Sequence, residues 1–230
     1  FLIGRLDFIV PLNVYINSFM FLYILFPLNC RLYNNEFDPI SDKLEKALIE
    51  KGFFVKKGMH YKYKGKSSDI DILAIKGNNL YIFECKNSVL PVNAFELRSV
   101  YDQLHKAATK QLPLAIAACN DTNFLREYNL PIENINNPIN IYPCIVTTNR
   151  LLSGYHINGF PIRNIKHLYR FIKDGTFVFR GIEENDDGAI YCMWDSDLFT
   201  ENDLIEYLQI QTKHYNFFFD SMKEYQQKYT

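Results

Sequence analysis

At 230 residues the chain is long enough for one well-packed domain with an appendage. A net charge of −1, from 25 basic and 26 acidic residues, excludes a globally basic nucleic-acid binder and leaves room only for a local cationic surface. The five dispersed cysteines form no C-x-x-C pair and the histidines show no zinc spacing, which excludes a zinc module and points to reduced thiols in a cytoplasmic setting. No phosphate-binding glycine loop, dinucleotide glycine pattern or internal repeat is present.

Residues 8 to 30 carry no charge, which meets the crude length criterion for a membrane span. Pro11, Asn13, Asn17, Ser18, Pro27 and Asn29 interrupt the run, and Asn13 and Asn17 lie one helical turn apart. Two readings stay open, a membrane tether and a helix packed on a protein surface with its asparagines outward. The first residue is Phe, as in a fragment of a longer chain. Residues 41 to 51 predict a helix with Leu44, Ala47 and Leu48 inward, Ser41 near its start and Gly52 as its stop. Phe53-Phe54-Val55 opens a strand. From there to Ser68 the chain is rich in lysine, with Lys56, Lys57, Lys62, Lys64 and Lys66 interleaved with His60, Tyr61 and Tyr63. Such a stretch is what phosphate-backbone binding requires, and a solvated loop is the plain alternative.

After a hairpin at 67 to 87, a second helix is expected over 94 to 110. Its apolar stripe is Leu97, Val100, Tyr101, Leu104, Ala107 and Ala108, and Gln103, Lys106 and Lys110 make a polar one. Residues 112 to 118 and 139 to 146 read as buried strands, and 163 to 173 as a helix. Further strands are expected at 177 to 179 and 189 to 194 around an acidic turn at 183 to 188. Thr200 and Asp203 cap a long last helix, whose stripe runs through Leu204, Tyr207, Leu208, Gln211, Tyr215 and Phe218. Phe217-Phe218-Phe219 needs cover, either from the core or from a second copy in a homodimer. The alternation of strands and helices argues an α/β class. It divides the chain into an apolar segment at 1 to 35, a core at 36 to 175 and an extension at 176 to 230.

The hairpin carries the chemistry. Its apolar runs Ile70–Ile75 and Leu80–Phe83 flank Lys76-Gly77-Asn78-Asn79. A two-residue turn at Gly77-Asn78 sets Lys76 opposite Asn79, and counting back sets Asp71 opposite Glu84 and Asp69 opposite Lys86. Opposed residues share a face, so all four ionisable groups are expected on one face at the end away from the turn, with Cys85 on the other. Two carboxylates on neighbouring strands can share a hard divalent cation, Mg²⁺ or Mn²⁺, of the kind that serves phosphate substrates. Lys86 can orient or help deprotonate a water, or balance phosphate charge. A cross-strand ion pair between Lys86 and Asp69 is the ordinary alternative.

Asp-Ile-Asp-Ile-Leu-Ala-Ile, a short turn, then Tyr-Ile-Phe-Glu-Cys-Lys resembles the core signature of the PD-(D/E)xK nuclease superfamily, most closely its Mrr-like and Holliday-junction-resolvase-like members. The proline of the family name is absent, with Ser67-Ser68 before the acids. The resemblance covers about 41 to 150 and implies a restriction-endonuclease-like fold, a mixed central sheet flanked by helices. It implies Asp71 and Glu84 as ligands of Mg²⁺ or Mn²⁺ and Lys86 as the catalytic lysine. The first helix of the family often lends an acid, here Glu45 or else Asp42. The second helix often lends a glutamine or lysine, here Gln103 or else Lys106. For both helices a solvated polar face competes with the functional reading. The implied activity is hydrolysis of phosphodiester bonds in DNA, with RNA left open. A binding module of the same fold that does not cut, and a membrane-associated interaction protein, are the alternatives.

Overall fold

The computed structural model describes residues 39–87, 91, 93–134, 137–179, 189–194 and 198–209. The apolar segment at 8–30, the acidic turn at 183–188 and the aromatic run at 217–219 lie outside the described residues. So do helix-stripe positions Gln211, Tyr215 and Phe218.

Helix α1 (Pro39–Glu50) buries Leu44, Ala47 and Leu48, one stripe at i, i+3, i+4. It starts before Ser41, which lies buried within it rather than capping it. Gly52, at φ 81°, closes it: Phe53 N–H is donated to Leu48 O and Gly52 N–H to Ile49 O, at 3.1 and 2.9 Å. β1 (Phe54–Tyr63) and β2 (Lys66–Lys76) form a long antiparallel ribbon, and β2 turns into β3 (Asn79–Lys86). The observed pair Lys76↔Asn79, with Gly77 at φ 56°, is the predicted two-residue turn.

Helix α2 (Ala94–Lys106) begins at Asn93, whose side chain accepts from Glu96 N–H at 2.8 Å. Through a π-turn at Ala107–Gln111 it runs on into α3 (Leu112–Cys119). The expected strand at 112 to 118 is therefore a helix. Leu112, Ala115, Ala118 and Cys119 bury at helical spacing, and Pro113, which has no N–H to donate to the preceding turn, follows directly on the π-turn. The apolar stripe of α2 is narrower than expected, because Leu97 and Tyr101 are exposed while Val100 and Leu104 are buried. The short helix α4 (Thr122–Glu127) precedes β4 (Asn140–Thr147), β5 (His156–Ile157) and β6 (Phe160–Asn164). Helix α5 (Ile165–Asp174) ends at Gly175. A separate ribbon, β7 (Thr176–Phe179) with β8 (Ala189–Cys192), leads to α6 (Glu201–Gln209). Thr200 and Asp203 form the expected reciprocal cap.

The protein is thus a mixed α/β structure with a six-stranded sheet in the order β1-β2-β3-β4-β6-β5, covered by helices. β4 and β6 run parallel to β3, and the remaining pairs are antiparallel. Leu73, Ile75, Leu80 and Ile82 pack under α2, α3 and α4. Ile72, Ala74, Tyr81 and Phe83 pack under α1, α5 and α6. Burial on both faces explains why β2 and β3 read as near-continuous apolar runs. A fully buried arginine, Arg163, ties α6 to the sheet by donating to the carbonyls of Tyr207 and Leu208 at 2.8 and 3.0 Å. Among the described residues no helix is long and apolar enough to cross a membrane.

Candidate active site

The β2–β3 ladder ends at Ile72↔Phe83. Beyond that pair β2 continues only with β1, and β3 continues only with β4, up to Lys86↔Thr147. The sheet forks there, and Asp71 and Glu84 are the first residues past the branch. Cys85 N–H, which would otherwise enter the ladder, is donated to the Asp71 carboxylate at 2.6 Å. The aspartate therefore substitutes for a strand bond and holds the fork.

Glu84 is 3% exposed. Its pKa is raised to about 7, first by burial and then by the charge of Asp71, while Lys86 pulls the other way and Asp69 adds a smaller upward push. Lys86 is ion-paired to Glu84 on its own strand, not to Asp69 across the ribbon. All four ionisable groups of the hairpin end thus interact electrostatically, but they do not share a face as strict alternation required. Ile70 and Leu73 enter the same core cluster at an odd spacing, and so alternation breaks at Asp71. The partner position on β1 is Gly58, at φ 60°, where Val55 and Met59 likewise go to opposite cores. A glycine without Cβ lets both strands turn over together. Asp69 is left exposed and Ile70 takes the buried place.

The other expected residues are more scattered. Glu45 is half-buried on α1, a helix that packs on the core side opposite Val100 and Leu104 of α2. Its neighbour Asp42 is the one tied to the sheet, by an ion pair to Lys57. The side-chain charges acting on Glu84 are those of Asp71, Lys86 and Asp69, and Glu45 is not among them. Gln103 and Lys106 are exposed on α2 beside the buried Leu104. Of the lysines, Lys57 is paired with Asp42, and Lys56 Nζ is donated to Tyr128 O at 2.6 Å. These two serve the fold. Lys62, Lys64 and Lys66 are exposed at the free end of the ribbon, which Tyr128 braces by accepting Lys62 N–H at 3.0 Å. An open groove of about 520 Å³ lies along this end between His60, Tyr61, Ser68, Asp69 and Tyr128.

Among the described residues no three or more His, Cys, Asp or Glu side chains gather into a metal-binding group. The pair Asp71 and Glu84 still fits one class of ion. Mg²⁺ keeps several waters and takes one or two carboxylates, with substrate phosphate completing the shell. Burial first and the charge of Asp71 second raise the Glu84 pKa, and a hard cation would offset the repulsion between the two carboxylates. Sequence reasoning missed Thr147 and Asn164, which stand in one row with Lys86 across the parallel strands. No spacing signals them, because they enter the row through parallel pairing.

A scan against models of protein families finds no match for this chain, and a search of curated proteins finds none either. Among solved structures the chain is similar to the crystal structure of a protein of unknown function, AF1548. The likeness has 15% sequence identity and a TM-score of 0.30, and it covers 65% of this chain and 73% of that one.

Proposed function

We propose that the protein is a metal-dependent nuclease of the PD-(D/E)xK type, with a restriction-endonuclease-like core, that hydrolyses phosphodiester bonds in DNA. The observation that carries this reading is the fork. Asp71 and Glu84 meet where β2 leaves β3, and Lys86 is bonded to Glu84. The elements α1, β1, β2, β3, α2 and β4 follow the family's order of helix, three strands, helix, strand, with α3 and α4 inserted between α2 and β4.

Mg²⁺ or Mn²⁺, when bound, supplies a charge that stabilises the phosphoryl oxygens and acidifies a water. Asp71 and Glu84 are the residues to hold it. Asp71 is oriented for this by Cys85 N–H. The ammonium of Lys86, drawn off Glu84, is placed to hold the attacking water or a phosphate oxygen. Lys62, Lys64 and Lys66 supply backbone contacts at the ribbon end. The described cysteines are free thiols, in keeping with a cytoplasmic enzyme. A homodimer and a membrane tether through residues 8–30 are compatible arrangements.

The test is cleavage of supercoiled plasmid, linear duplex, single strands and RNA with Mg²⁺, Mn²⁺ or EDTA. Metal-dependent cutting should fall by at least about a hundredfold in Asp71→Ala and in Lys86→Ala, with the fold retained. Full activity in both variants would overturn the assignment. The Lys86–Glu84 ion pair favours one second reading, a binding module of the same fold whose charges neutralise each other. Salt-dependent DNA binding without any metal-dependent product would select it.

A further inference from the structure

The end of the sheet that carries Glu84 and Lys86 continues past them. The parallel register sets Lys86 beside Thr147 and Thr147 beside Asn164. Two strand spacings, about 10 Å, separate the ends of this row. Thr148 N–H is donated to Lys86 O at 3.3 Å, and Thr148 Oγ1 bonds Asn87 Oδ1 at 3.2 Å, which ties the loop after β4 to the end of β3. Asn164 holds the same loop from the other side. Its amide donates to the carbonyls of Thr147, Thr148 and Asn149 at 3.4, 3.1 and 3.1 Å. Its Oδ1 meanwhile caps α5, accepting from Lys166 and His167 N–H at 3.1 and 3.3 Å. Arg150 leaves this pinned loop, and Lys166 and Arg170 leave α5 one turn apart. All three are exposed, and none is in an ion pair among the described residues.

Lys166, in the first turn of α5, stands where helix electrostatics disfavours it, and Arg150 and Arg170 lie close by, both acting on His167. A helix N-terminus carries positive partial charge and normally gathers Asp or Glu. The first turn of α5 has no acid and holds Lys166 and His167 instead. The nearby acids, Asp174 and Glu50, act on Lys173 at the other end of the helix. His167 is half-buried close to both arginines. Burial first, then Arg150 and Arg170, hold its pKa below the ordinary value, so the ring is neutral near pH 7 and the charge belongs to the three exposed cations. A concentration of positive charge at an already positive helix end is stable when a polyanion supplies the missing negative charge.

We propose that Arg150, Lys166 and Arg170 form a second phosphate-contact patch, so that a nucleic-acid backbone crosses the sheet end from the β1–β2 ribbon tip, past Asp71 and Glu84, to the start of α5. This rests on the nucleic-acid reading above and extends it. Lys62, Lys64 and Lys66 stand on one side of the fork, and the new patch stands on the other. Contacts on both flanks would hold the scissile bond over the carboxylates, where contacts on one flank would let it swing.

The experiment is fluorescence-anisotropy binding of a labelled linear duplex to the full chain across a salt series, with Ca²⁺ in place of Mg²⁺. It compares the parent, the triple variant Arg150→Gln/Lys166→Gln/Arg170→Gln, and Lys173→Gln as a control on the same helix. Each lost phosphate contact takes about 0.9 from the slope of log K against log salt, so the triple variant should be shallower by about 2 to 3 and the control unchanged. Arg150→Lys/Arg170→Lys keeps the charge and should keep the slope, which separates lost charge from lost structure. If the parent binds and cuts but the triple variant keeps its slope, the patch is refuted and the nuclease reading stands. If the parent neither binds in a salt-dependent way nor cuts, both fall together.

Discussion

Replacing Glu84 by Gln tests the electrostatics of the fork directly. Glu84 is 3% exposed, and its carboxyl is lifted from 4.5 to about 7, chiefly by burial and secondly by Asp71. An acid whose folded pKa is raised holds its proton more tightly in the native state than in the unfolded chain. Its contribution to stability is therefore complete below about pH 4.5 and is lost as the pH rises to about 7. At about 1.4 kcal/mol per pH unit that gap amounts to about 3 kcal/mol. In EDTA, the unfolding free energy of the parent should drop by about 3 kcal/mol relative to Glu84→Gln between pH 4.5 and 8, because Gln keeps the volume and carries no titrating charge. The assay is urea denaturation at stepped pH, followed by circular dichroism and by the fluorescence of the single tryptophan, Trp194. Mg²⁺ at about a hundredfold its Kd should then return about 2.7 kcal/mol to the parent at pH 8 and almost nothing to the variant. Parallel pH curves for the two proteins would refute the buried-carboxylate geometry. Equal stabilisation by Mg²⁺ would refute Glu84 as a ligand.

Three further outcomes probe the frame that holds the site. Arg163→Met leaves the carbonyls of Tyr207 and Leu208 without their charged donor and should cost about 3 kcal/mol in urea denaturation, with α6 loosening first. Gly175→Ala forces a side chain into a position at φ 62° and puts its Cβ 2.5 Å from the Trp194 ring. It should lower Tm by several degrees and shift the emission of Trp194. Leu104→Ala empties a buried position of the core under α2 and should cost about 2 to 5 kcal/mol by the same denaturation assay.

The hairpin was legible because its signals are local. Gly77 and Asn78 specify a tight turn, and the apolar runs on either side have only one register that pairs them through that turn. The helix stripe of Leu44, Ala47 and Leu48, and the reciprocal cap of Thr200 and Asp203, were readable for the same reason. The run 112 to 118 misled because a short apolar run has no helical or strand period of its own. What decides it is the preceding helix, which carries on through a π-turn. The lysines were found by composition, which sees charge but not partners, and Lys56 and Lys57 turned out to be bonded within the fold.

By itself, then, the sequence determined the β2–β3 turn, its register as far as Ile72↔Phe83, and most of the helices. Each depends on residues two to four apart, whose spacing sets which side chains share a face. Tertiary structure alone decided that the hairpin forks at Asp71, that alternation turns over opposite Gly58, and that Lys86 lies in one row with Thr147 and Asn164. Those features arise when β3 finds β4 as a parallel neighbour. Such a pairing joins segments about sixty residues apart, and its register is set by packing two helical layers on one sheet rather than by any local pattern.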